Sequence, residues 1–130
     1  MYEQQDVEQP EGNLRGKFKT DAEGTFEMYC LKPGPYQVPH SGLAGRMLKM
    51  LDRPAWRPAH IHVKVNAKGF HTLTTQLYVT GDEHLNSDAA FAVKKDLVVE
   101  FKPRADHLRA KWSVKFDFIL VSEEVYEKEH

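Results

Sequence analysis

Apolar and polar residues alternate with a period of two over most of this chain, as expected for half-buried β-strands. Leu14, Gly16 and Phe18 alternate with Arg15, Lys17 and Lys19, and Phe26, Met28 and Cys30 follow on one face after the turn Asp21–Gly24. These two stretches predict an antiparallel pair. Strands are also predicted from about Ala59 to Val65, from Thr72 to Val79, from Leu97 to Phe101 and from Trp112 to Val121, where Val114, Phe116 and Phe118 alternate with polar residues. A turn at Ala67-Lys68-Gly69 separates the first two of these, and residues 84–95 read as an irregular excursion.

Helical periodicity is scarce. Met47, Leu48, Met50 and Leu51 give one short helix over Arg46–Leu51, stopped by Pro54. Residues 1–13 read as an extended loop, and the charged residues 123–130 as a frayed tail. Six or so short strands with long loops and one short helix make an all-β antiparallel β-sandwich. The longest loop, from Pro33 to Pro58, is where function is expected to sit.

A chain of 130 residues is one domain, and 41% hydrophobic content supports a modest core. Eighteen Lys and Arg against 19 Asp and Glu give a net charge of -1, which offers nothing to draw nucleic acid or an acidic membrane surface. There is no apolar run long enough to span a membrane, and no signal-peptide pattern at Met1–Pro10. The single cysteine, Cys30, cannot form an internal disulfide and reads as core filler, so the expected compartment is a reducing cytosol.

The chemistry is concentrated in Trp56-Arg57-Pro58-Ala59-His60-Ile61-His62-Val63. On a strand, residues two apart share a face, so His60 and His62 aim two imidazoles at one point. Seven histidines would yield about 0.4 such pairs by composition alone, so the spacing needs support. Two imidazoles suit zinc or copper as well as iron. Support comes from Tyr36, held between Pro35 and Pro39 in the long loop: a phenolate is a hard oxygen donor that favours ferric iron. A tyrosine ordinarily titrates near 10, so presenting it as an anion at neutral pH takes about 4 kcal/mol, which a trivalent cation supplies.

The ordered blocks Asn13-Leu14-Arg15-Gly16, Thr20-Asp21-x-x-Gly24, Pro35-Tyr36-x-Val38-Pro39, Arg57-Pro58-Ala59-His60-Ile61-His62, Leu73-Thr74-Thr75-Gln76 and Phe91-Ala92-Val93-Lys94 resemble the intradiol ring-cleavage dioxygenases, closest to the catechol and hydroxyquinol 1,2-dioxygenase branch. The resemblance implies non-haem Fe(III) held by Tyr2, Tyr36, His60 and His62. It implies further that Tyr36 leaves the metal when a catechol-type diol binds, while Tyr2 stays. Arg57 is then expected to stabilise negative charge on the substrate ring, and Gln76 to orient Arg57 or the bound intermediate. The implied reaction opens the diol with O2 to a muconate-type dicarboxylate, in the catabolism of aromatic compounds.

Family members of this branch carry an N-terminal helical segment used for homodimerisation and early strands before the first tyrosine. The chain is expected to be truncated relative to them, with an apolar face left bare. An inactive sandwich that binds metal weakly, or serves only for association, is the alternative this raises. Leu43, where the family commonly has proline, and His84, where it has tyrosine, depart from the pattern without touching a proposed ligand. His40, His71, His84, His107 and His130 match no block and read as surface residues.

Overall fold

In the computed structural model, the structure describes residues 10, 12–39 and 41–129. The elements run β1 (Tyr36–Gln37), α1 (Leu43–Met50), β2 (Trp56–Arg57), β3 (His60–Val65), β4 (Leu73–Val79), β5 (Val98–Val99), β6 (Lys102–Pro103), β7 (Trp112–Ser113) and α2 (Glu123–Glu129). They form three open sheets, ordered β1-β2, β3-β4-β5 and β6-β7. Extended chain dominates, in agreement with an all-β architecture.

The centre is the antiparallel β3–β4 pair, in which His60 lies opposite Tyr78 and His62 opposite Gln76. The expected strands over Ala59–Val65 and Thr72–Val79 are both present, and Gly69, at φ 79°, makes the turn between them. β5 pairs with β4 in parallel, Val98 beside Tyr78 and Val99 beside Val79. A parallel neighbour requires a long connection. Because β5 aligns with the last residues of β4, that connection, residues 80–97, leaves and re-enters the sheet at the end that carries His60.

The core gathers at this same end. Ala59, Leu77, Tyr78, Val79 and Val99 are buried, Pro58 is fully enclosed, and two charged residues, Arg57 and Asp88, are buried with them. β2 reaches this core through a tight approach. α1 ends in a Schellman motif: the amide of Arg53 donates to Leu48 O (2.9 Å) and that of Asp52 to Lys49 O (3.1 Å), with Asp52 in the left-handed region at φ 50°. The cap and Pro54 turn the chain directly into β2, where Val38 N donates to Ala55 O at 2.9 Å to hold the two loop strands together.

Besides the strand expected over Leu97–Phe101, which is realised only at Val98–Val99, four expectations need correction. The turn at Asp21–Gly24 is present, with the Asp21 side chain accepting from the amides of Glu23 (3.1 Å) and Thr25 (2.7 Å), but no strand ladder flanks it. Of its alternating residues, Leu14, Phe18, Phe26 and Cys30 are exposed, so burial does not fix a register. The last predicted strand is paired only at Trp112–Ser113, and its remainder is extended without a ladder.

The third correction is a second helix: residues 123–129, expected to fray, form α2. Glu123 and Glu124 in its first turn and Lys128 in its last complement the helix dipole. It is also tied down, by His71 N donating to Val121 O (2.9 Å), Glu123 N to Gly69 O (3.0 Å), and Tyr126 stacking on His71 at 3.6 Å. The fourth is Cys30, which is exposed and not in the core.

Candidate metal and diol site

The β3–β4 register does what the His-x-His spacing implies. Directly opposed residues share a face, so His60, His62, Gln76 and Tyr78 stand together on one side of the sheet. His60 Nδ1–H donates to the carbonyl of Pro58 at 2.7 Å, which fixes the ring and makes Nε2 the nitrogen that carries the lone pair. The Nε2 atoms of His60 and His62 approach to 3.2 Å.

That separation fits a shared cation. With metal–nitrogen bonds of about 2.1 Å, two nitrogens so spaced subtend about 100° at the metal, an angle between tetrahedral and octahedral values. Partial loss of hydration, followed by the nearby Arg57 charge, lowers the proton affinity of half-buried His60 and of the more exposed His62, so at neutral pH they are neutral donors. The Tyr36 ring lies 5.5 Å from that of His60, on β1 opposite Arg57. Tyr2 falls outside the described residues. The donors present, two imidazoles and a phenol, fit a hard, oxygen-tolerant cation such as ferric iron better than they fit a thiophilic one.

Arg57 organises the site. Its Nε donates to Asp88 Oδ1 at 2.9 Å, its Nη2 to Gln76 Oε1 at 2.8 Å, to Tyr78 Oη at 3.3 Å and to Asp88 Oδ2 at 3.3 Å, and its Nη1 to His60 Nε2 at 3.3 Å. Tyr36 lies close enough to add to the stabilisation of the guanidinium charge. Burial opposes its charge, but the bond to Asp88, helped by nearby Tyr36, outweighs burial and holds it protonated. On Asp88, burial pushes the carboxyl up, while the Arg57 bond and the amides of Ala92 and Ala90 pull it below its ordinary range. The net result is an ion pair whose side chains are 7% and 3% exposed, far from the screened surface case.

The sequence-predicted Arg57, Gln76, Tyr36, His60 and His62 are thus brought together. Two members were missed. Tyr78 is wholly buried and donates its hydroxyl to Gln76 Oε1 at 2.7 Å; burial raises its phenol above the usual value, so it remains a neutral donor. Its signal was available, since Tyr78 is two residues from Gln76 on the same strand. Asp88 left no signal beyond the general need of a buried arginine for a counter-charge. The other described histidines have structural contacts: His84 stacks on Trp56 at 4.9 Å, and His107 hydrogen-bonds Tyr29 at 3.1 Å. A surface cavity of about 470 Å³ between β5 and β7 contains none of the site residues.

Comparison with known proteins agrees with this arrangement. The dioxygenase family matches residues 1–122. An intradiol ring-cleavage dioxygenase of Aspergillus niger is 44% identical over 120 residues, which cover 92% of this chain and 38% of the relative. A catechol 1,2-dioxygenase of Candida albicans is 47% identical over 103 residues, covering 78% and 34% respectively. Among solved structures, a catechol 1,2-dioxygenase from Pseudomonas arvilla superposes with a TM-score of 0.81 at 34% identity, over 94% of this chain and 42% of that one. A hydroxyquinol 1,2-dioxygenase from Pseudomonas putida gives 0.77 at 36% identity, over 95% and 46%.

The chain belongs to the intradiol ring-cleavage dioxygenase family, and its architecture is the β-sandwich of that family. It spans less than half the length of these relatives.

Proposed function

We propose that this chain uses Tyr2, Tyr36, His60 and His62 to hold non-haem Fe(III), and that it cleaves a catechol-type diol, catechol or hydroxyquinol, with O2. The product is a muconate-type dicarboxylate that incorporates both oxygen atoms, as a step in aromatic catabolism in the cytoplasm. The observation that carries the reading is the convergence of the His60 and His62 Nε2 atoms, 3.2 Å apart, beside an arginine that also reaches Tyr36.

When bound, the iron supplies a Lewis acid that draws electron density from the diol and makes its ring reactive toward O2. The protein side of the reaction is positional. The Tyr36 oxygen accepts a proton from one diol hydroxyl. An Nη1–H of Arg57 stabilises the negative charge that the deprotonated diol and the oxygenated ring carry. Gln76 and Tyr78 keep the guanidinium plane fixed, because Gln76 Oε1 accepts from both. The low proton affinity of His60 and His62 keeps their nitrogens available as ligands at neutral pH.

The test is oxygen uptake by the iron-reconstituted chain with catechol and with hydroxyquinol. One O2 consumed per diol, a dicarboxylate product, and loss of at least about 100-fold in rate on His62→Ala support the reading. Absence of uptake in a folded, iron-loaded chain contradicts it. That outcome favours the second reading, a catalytically inactive sandwich used for association, for which the exposed Leu31, Met50 and Ile119 are the motivating observation.

A further inference from the structure

Asp88 is a buried charge to which the proposed chemistry assigns no task. Its two carboxylate oxygens receive four donors: Oδ1 accepts from Arg57 Nε (2.9 Å) and Ala90 N (3.1 Å), and Oδ2 from Arg57 Nη2 (3.3 Å) and Ala92 N (3.0 Å). An ionised carboxylate has about four lone-pair sites, so every one is used. A neutral amide of the same shape fails here, because its NH2 would face two donors.

The loop around Asp88 is built to hold this arrangement. Folding the amides of Ala90 and Ala92 onto one side chain puts the intervening Phe91 in the left-handed region at φ 54°, a conformation that bulky residues rarely adopt. Three further contacts fasten the loop to the segment that carries Arg57. Arg53 Nη2 donates to Asp88 O at 3.0 Å, the Arg53 guanidinium lies 3.7 Å over the Phe91 ring, and Ala89 N donates to Trp56 O at 3.0 Å. A second aspartate of the same connection, Asp82, accepts from the amide of Ala59 at 2.9 Å, immediately before the first histidine.

Arg57 Nη1 is 3.3 Å from His60 Nε2, the atom proposed to bind the metal. An uncompensated guanidinium at that distance repels a multivalent cation. We propose that Asp88 is the positioning residue of this site: its carboxylate fixes the Arg57 guanidinium and cancels its charge beside the His60–His62 pair, so that one face can hold both a cation and an arginine. The proposal rests on the reading that these histidines bind metal.

Metal affinity, together with the Arg57 Nε–H resonance, tests it on the full chain. Co(II), whose visible spectrum reports imidazole ligation, is titrated into wild type, Asp88→Asn and the double variant Asp88→Asn with Arg57→Gln, with far-UV circular dichroism as the folding control. Asp88→Asn is expected to lower Co(II) affinity by about tenfold or more, to shift the Arg57 Nε–H resonance relative to wild type and to speed its exchange with solvent. Removing the arginine charge in the double variant is expected to restore affinity to within about threefold of wild type.

Unchanged affinity in folded Asp88→Asn, or no recovery in the double variant, overturns the proposal and leaves Asp88 a structural cap. If Asp88→Asn does not fold, the double variant decides alone: wild-type-like affinity supports charge cancellation, and a tenfold deficit refutes it. Failure of wild type to bind metal contradicts the functional reading instead, and the Arg57 resonance still reports whether Asp88 fixes the guanidinium.

Discussion

At the residue scale, the site depends on one arginine hydrogen-bonded to four side chains, Asp88, Gln76, Tyr78 and His60. Arg57→Leu leaves Asp88 buried without its counter-ion and is expected to destabilise the fold by about 3–5 kcal/mol in urea denaturation. Tyr78→Phe removes two hydrogen bonds, the donation to Gln76 Oε1 and the one accepted from Arg57 Nη2, while Gln76 Oε1 keeps its bond to Arg57, so about 1–3 kcal/mol is expected. The Asp88 carboxyl is depressed in the folded state, so its contribution is present above the ordinary carboxylate value near about 3.9 and is lost as pH falls through the folded value. Acid titration of stability is expected to show this loss in wild type and not in Arg57→Leu. The proposed ligand residues His60, His62 and Tyr36 were legible because strand spacing and flanking prolines state their geometry locally. Asp88 was not, because its role exists only once residues 80–97 fold back over β2, and that path depends on a parallel pairing no local pattern encodes.

At the element scale, the β3–β4 ladder is the frame, and its register alone decides which residues face the two histidines. A one-residue slip would replace Gln76 and Tyr78 by Thr75 and Leu77 on the site face. Both strands were readable from alternation because their apolar faces are covered. The stretches at 14–18 and 25–31 carry the same alternation but leave Leu14, Phe18 and Leu31 exposed, so the pattern did not become a ladder. The helix at α1 was legible in type, and its C-terminal cap was not, since Asp52 occupies a left-handed position usually given to glycine. Asp52→Gly, at an exposed position, is expected to raise stability by about 0.5–1 kcal/mol without altering the site, as read by thermal denaturation.

At the scale of the whole molecule, the described core is small and lies under the site, while large apolar side chains elsewhere remain exposed: Met50 at 86%, Ile119 at 86% and Leu31 at 72%. Apolar side chains exposed to this degree favour association. Sedimentation of the chain is expected to depend on concentration, and Ile119→Lys with Leu31→Lys to weaken that dependence while metal binding is retained. Among the described residues no helix is long and apolar enough to cross a membrane. The site rests on a compact, well-bonded end of the sheet, the end proposed to hold ferric iron through a tyrosine. The most direct measurement is the visible absorption spectrum of the purified chain reconstituted with Fe(III). A phenolate-to-iron charge-transfer band that shifts on addition of catechol, and changes on Tyr36→Phe, is the predicted result; a folded, iron-loaded chain that stays colourless would contradict it.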